Sequence, residues 1–220
     1  MKKLLFWMVL IVGIVALIGS CAKKDEEPAA TAAADNTTST TSYISTTTTA
    51  SGSITMGDDT LSGVYASECL TSASTIAFFV ASGFWASEVN AYGQVFVVTG
   101  SDNISIELYA FTDTSCSNLS QSQKTVSDNV TFGSASGSNY PVTYNNQTQA
   151  LTVHTTAAET ALETLYSNAL DFIVGTPIEL PVSGSGLRYG LWTLSGTTWY
   201  EASSSSATPT SAGTVPHVKQ

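Results

Sequence analysis

The sequence predicts a mainly β domain, an antiparallel barrel or sandwich with one amphipathic helix, set behind an exported, low-complexity tether. Three observations carry this. Short runs of β-branched and aromatic residues, punctuated by Gly, Ser and Asn, recur from residue 61 to residue 202, as short antiparallel strands do. One stretch alone, 157–172, repeats its apolar residues at helical spacing. Both flanks of the domain are built of Thr, Ser and Ala, with too few large apolar groups to offset the entropy of an ordered backbone.

Taken in order, the chain opens with Met1, Lys2 and Lys3. Fifteen uncharged residues follow (LLFWMVLIVGIVALI, 4–18), then the small pair Gly19 and Ser20, then Cys21. A cationic start, an apolar centre and small residues before a cut make a secretory signal of 1–20. The apolar run is marginal against the roughly 18 to 20 residues that a permanent span needs. Its ending, IGSC, resembles the lipobox of bacterial lipoproteins. The resemblance implies cleavage before Cys21, a diacylglyceryl thioether on its thiol and often a further acyl (palmitate-type) chain on the freed amine. Two chains hold a protein on a membrane where one is marginal. Ala22 stands where some lipoproteins of double-membrane bacteria carry an inner-membrane retention aspartate, so the resemblance also implies a lipid-anchored protein of the bacterial cell envelope, at the outer membrane. The alternatives are an ordinary signal peptide with a free Cys21, or an uncleaved anchor.

The segment 21–59 reads as the lipidated, Ser/Thr-rich tether. From Cys21 onward the chain has five basic residues against 17 acidic ones. That balance makes nucleic acid and anionic lipid surfaces poor partners, and between residues 60 and 202 Lys124 and Arg188 are the only basic side chains. The partners it leaves open are the membrane through Cys21, another envelope protein, or a small apolar ligand. With Cys21 assigned to lipid, Cys69 and Cys116 remain as an even pair in an exported chain, and they are expected to form a disulfide. Two unconnected thiols are the alternative. No His or second Cys lies at metal-ligand spacing from either, so no metal and no cofactor is expected.

The β domain is read over 60–203. Its strand candidates are IAFFVA (76–81), GQVFVVTG (93–100), ISIELYAF (104–111), NVTFG (129–133), ALTVHT (150–155), IELPV (178–182), GLWTL (190–194) and TTWYEA (197–202). In ISIELYAF, Ile104, Ile106, Leu108 and Ala110 alternate with Ser105, Glu107, Tyr109 and Phe111, giving one apolar and one half-polar face. The last two candidates make a hairpin around Ser195 and Gly196. Within 157–172, Ala158, Leu162, Leu165, Ala169 and Phe172 form the apolar stripe, and Thr156 with Glu159 is read as a capping box. The remainder, 204–220, is read as a disordered tail.

The block LSGVYASEC (61–69), the later YAFTDTSC (109–116) and the closing YGLWTLSGTTWYEAS (189–203) are similar to the strands of lipocalin-like β-barrels in exported lipoproteins. In those barrels a Gly-X-Trp near the first strand closes the floor; Tyr65 stands at that tryptophan's place. The resemblance implies a barrel that either packs its centre or carries a small molecule there.

Chemistry is harder to find. GSASG (133–137) has Ala135 where a nucleophile elbow needs serine, and no phosphate loop, paired zinc histidines or calcium loop appears. His154 and His217 read as surface or structural residues, so no catalytic residue is assigned and no enzyme is expected. The aromatics are the remaining signal: Trp192, Trp199 and Tyr109 are candidate lining residues of a ligand cavity, unless they fill a closed core. The expectation is a membrane-anchored interaction or binding module, with a lipocalin-like carrier of a small apolar ligand as the alternative.

Overall fold

The structure, a computed structural model, describes residues 44–182 and 184–220. The signal 1–20, the lipidation site Cys21 and the first half of the tether lie outside the described residues. The elements run β1 (Ile54–Met56), β2 (Asp59–Leu61), β3 (Val64–Ala66), α1 (Ala73–Ala81), β4 (Ala91–Val98), β5 (Ile104–Phe111), β6 (Leu119–Phe132), β7 (Asn139–Val153), α2 (Thr156–Leu165), β8 (Ile178–Leu180), β9 (Leu187–Ser195), β10 (Thr198–Ser204) and β11 (His217–Lys219). Strands β3, β4, β5, β6, β7, β9, β10 and β11 pair antiparallel in chain order, and β11 pairs back onto β3. The result is a closed, eight-stranded, up-and-down barrel. Strand β8 extends β7 at one edge, and β1 with β2 forms a separate hairpin.

Strand alternation decides what fills this barrel. The Ile104, Ile106, Leu108, Ala110 face of β5 turns inward, as its apolar period requires, and meets Phe96 and Tyr92 of β4 across the ladder. One end is floored by aromatic side chains. Tyr65, Phe96, Trp192 and Trp199 are at most 1 % exposed, with Tyr65 edge-on to Trp199 at 5.4 Å and Trp192 edge-on to Trp199 at 4.6 Å between ring centroids. Such offset and edge contacts suit the charge distribution of aromatic rings. Ile54, Met56 and Leu61 of the β1–β2 hairpin pack into the same layer. The other end is covered by the two helices: Phe79 of α1, Leu162 of α2 and Phe172 beyond it pack with Tyr92, Leu151 and Val153.

Several sequence expectations are corrected. The run 76–81 is the C-terminal part of helix α1 and not a strand. Ser72 caps that helix by accepting the Thr75 N–H, and a short apolar run cannot by itself distinguish a buried strand from a helix. Helix α2 stops at Leu165 instead of 172, because Ser167 and Asn168 adopt left-handed backbone at φ of 55°. Its cap is Thr155, one residue before the expected Thr156, whose Oγ1 accepts the Ala158 N–H at 3.1 Å. The candidates NVTFG and ALTVHT are ends of two long strands, β6 and β7, whose polar middles concealed them.

Neither flank is bare linker where it is described. Ile44 lies on the outer wall over Gly93, where any β-carbon would collide with it; residues 54–56 form a strand inside the expected tether, and its partner, 59–61, begins on the tether's last residue. The expected disordered tail supplies the closing strand: β11 pairs with β10 and β3, and the Gln220 N–H donates to the Val64 carbonyl at 2.9 Å. Three residues are too few to show a strand period, and the Ser-rich run before them hides the strand. The disulfide expectation holds, with Cys69 joined to Cys116 and their Cα atoms 5.8 Å apart.

Candidate functional site

Between the aromatic floor and the helical cap, the inner wall is polar. Along β4 the inward series passes from Tyr92 through Gln94 to Phe96. On β6 it runs through Gln121, Gln123, Thr125 and Ser127, the residues opposite the inward face of β5. Gln94, Ile106, Leu108, Gln123, Arg188 and Glu201 all face inward yet are half-buried, so the midsection is not packed solid like the floor below it. In a barrel whose interior were only a core, these positions would be apolar and fully covered.

One wall of the midsection concentrates the charge. Register places Arg188 of β9 opposite Tyr144 of β7, Gly190 between Val142 and Ser203, and Trp192 opposite Glu201 of β10. Strand alternation thus puts Arg188, Tyr144, Trp192, Ser203 and Glu201 on one contiguous inner patch. Arg188 is the only arginine in the chain. Its Nη1 donates to the Leu187 carbonyl at 3.0 Å; burial holds its pKa down, and the Tyr144 phenol opposite it acts the other way. Burial pushes the Glu201 carboxyl up to about 7, opposed by Ser203. The buried Tyr144 phenol is raised by desolvation first and then by Glu201, with Ser203 and Arg188 acting the other way. Tyr144 is therefore the group that feels both enclosed charges.

His217, expected in a frayed tail, is 1 % exposed and part of this interior. Its Nδ1 lies 3.2 Å from the Trp199 carbonyl and its Nε2 3.2 Å from the Gln94 side-chain amide. Burial pushes its pKa down to about 4, so it is neutral near pH 7. A neutral imidazole donates only once. Nδ1–H donating to the carbonyl, with the Gln94 amide turned to donate to Nε2, satisfies both contacts. His154 lies on the far side of the barrel, its Nε2 3.1 Å from Ser122 Oγ, with its pKa lowered by burial.

Three buried polar atoms have no hydrogen-bond partner among the described residues: Trp192 Nε1, Trp199 Nε1 and Gln121 Oε1. A β-carbon on Gly190 would come 2.9 Å from Trp192 Nε1, so the first of these, the indole nitrogen, packs over the bare backbone of Gly190, the inward position between Trp192 and Arg188 on β9. An unpaired buried donor costs about 1–3 kcal/mol.

The candidate cavity residues thus divide. Trp192 and Trp199 are inside the barrel, but as its packed floor, presenting an indole edge instead of a ring face. Tyr109 is on the outer wall. There its hydroxyl donates to Glu107, a buried carboxylate that also accepts from Thr46 Oγ1 at 2.6 Å, from Ser105 Oγ at 3.3 Å and from Thr48 Oγ1. This cluster fastens the N-terminal segment to β5. The residues missed from sequence are Arg188, Tyr144, Glu201 and Gln94. The available signal was the polar alternation of β6 and β7, together with a lone arginine two positions before a strand candidate.

Among the described residues, no three or more His, Cys, Asp or Glu gather to hold a metal ion, and no helix is long and apolar enough to cross a membrane. The chain matches no family model and no curated protein.

Proposed function

We propose that this protein is a lipid-anchored lipoprotein of the bacterial envelope, held through Cys21, whose β-barrel is a binding module that receives a small molecule in its midsection and performs no chemistry on it. The observation that carries the reading is the half-buried polar midsection lying between a packed aromatic floor and a helical cap, with the Trp192 N–H buried beside Gly190 without a partner. Polar groups enclosed without partners are costly, and a bound molecule that pairs with them recovers that cost. The export signal and lipobox support the address.

The composition of the wall weighs against a purely apolar cargo. Ile106 and Leu108 offer one apolar strip, but Gln94, Gln123, Arg188 and Glu201 would lose their hydration to such a ligand and gain nothing in return.

Native mass spectrometry of the protein taken from envelope membranes tests this. The expected outcome is a lipid-modified chain carrying a noncovalent small molecule, released on denaturation. A soluble, unmodified mature form would refute the anchor. A barrel that is always empty, and whose tryptophan fluorescence no small molecule changes, would refute the binding module.

A further inference from the structure

Two opposite charges are enclosed in the midsection, and they do not neutralise one another. Arg188 spends one guanidinium N–H on the Leu187 carbonyl, and no carboxylate is among the groups that act on it. Glu201 has Ser203 beside it and no cation. Tyr144 feels both. An ion pair between them would be the ordinary way to reduce the cost of burial. Instead the β7–β9–β10 wall holds them apart, with Tyr144, Ser203 and the N–H edge of Trp192 on the same patch.

Resting on the reading of the barrel as a small-molecule binder, we infer that the ligand is dipolar, a small molecule of the amino-acid class whose carboxylate is taken by Arg188 and Tyr144 and whose ammonium group is taken by Glu201. A carboxylate matches the fork of a guanidinium, which can donate two parallel N–H bonds, and a phenol O–H adds a third donor. An ammonium group brings three donors and no acceptor, which is what a carboxylate without a cation requires. Trp192 Nε1, buried over Gly190 on the same strand, is a further donor without a partner. A ligand with an anionic group alone would leave Glu201 uncompensated, and one with a cationic group alone would leave Arg188 so. The half-buried Ile106 and Leu108 across the barrel provide the surface for an aliphatic side chain.

The test uses the full-length protein in detergent, with titration calorimetry and tryptophan fluorescence against a panel of free L-α-amino acids. For the best binder, the deaminated acid and the decarboxylated amine serve as single-charge probes; for leucine these are 4-methylpentanoate and 3-methylbutylamine. The expected result is that at least one amino acid binds, and that each single-charge probe binds tenfold or more weakly. Arg188→Gln should reduce the discrimination against the amine, and Glu201→Gln that against the acid, while Glu201→Asp should retain part of the preference for the zwitterion. Thermal melts of each variant separate loss of binding from loss of fold. If a single-charge probe binds as well as the parent amino acid, the dipolar assignment is overturned and the binding module stands. The same holds if no amino acid binds while a co-purified molecule of another class does, with the tryptophans responding. If nothing enters the barrel, both readings fall together.

Discussion

His217 meets Phe96 edge to face, with ring centroids 4.7 Å apart and planes at 85°, and through this contact the last residues of the chain are keyed into the inside of the barrel. The imidazole stands opposite Trp199 in the ladder and reaches Gln94 on β4, so one side chain ties the closing strand to its neighbour β10 and, past β3, to β4. His217→Ala should lower stability by about 2–4 kcal/mol, the range for emptying a buried, hydrogen-bonded site. Removal of residues 217–220 should abolish the two-state transition altogether. Urea unfolding followed by tryptophan fluorescence reads both, and a truncated protein that unfolds like the parent would show that β11 does not close the barrel.

Two interior groups set the pH dependence of stability in opposite senses. Glu201 is raised from 4.5 to about 7, so the fold favours its protonated form, and that contribution is lost as pH rises from 4.5 through 7. His217 is lowered from 6.5 to about 4, so the fold favours neutral imidazole, and that contribution is lost as pH falls from 6.5 through 4. Each span corresponds to about 3 kcal/mol, and between pH 4.5 and 6.5 the two oppose each other. Glu201→Gln should remove the loss toward neutral pH and leave the loss on the acid side. Unfolding free energies from pH 4 to 8 check it; a variant curve parallel to that of the parent over pH 5 to 8 would refute the assignment.

The Cys69–Cys116 bridge closes a loop that contains β4 and β5, its ends separated by 47 in sequence. Loop-closure entropy assigns roughly 4 kcal/mol to such a cross-link. The Cys69→Ala, Cys116→Ala double variant should therefore fold with a markedly lower denaturant midpoint, and the reduced parent should match it. Equal midpoints for oxidised and reduced protein would contradict this.

The helical cap offers an internal comparison. Leu162 is fully buried, whereas Leu165 only packs against the edge of the same cluster. Leu162→Ala should cost about 2–5 kcal/mol as other buried leucines do, and Leu165→Ala distinctly less. The reverse order would mean that α2 docks on a different face from the one described.

On the outer wall, Thr46→Val with Thr48→Val should detach the segment at 44–51 without opening the barrel, because Glu107 would lose two of its four hydroxyl donors. Hydrogen exchange should speed up there and nowhere on β4 to β7. Uniform acceleration would make this segment part of the cooperative core instead.

What could be read from the sequence was what repeats with a simple period. The inward face of β5, the β9–β10 hairpin and the stripe of α2 came straight from alternation at two or from spacing at three and four. The cysteine pair followed from counting. Strands β6 and β7 showed only at their C-terminal ends, because residues such as Gln121, Gln123 and Thr125 of β6 put amides and hydroxyls where a core strand would put Val or Ile, and for the same physical reason the candidate site did not show. Arg188 and Glu201 lie on the two arms of one hairpin, but they share a patch of wall with Tyr144 of β7 only once the ladder register is known. Helix α1 was misread because its first turn is Ala, Ser and Thr and its apolar half, taken alone, looks like a strand.

The pairing of β11 with β3 joins residues about 150 positions apart, and this sets a timetable for the nascent chain. Strand β3 is among the first parts of the domain to be synthesised, and its partner is the last. Until His217–Lys219 arrives, β3 and β10 each present an open edge, a surface that invites pairing with another chain. The barrel cannot seal while His217–Lys219 is still in the ribosome, so the domain stays open until its own closing strand has emerged. The same delay makes the emergence of β11 the point at which this exposure to aggregation ends.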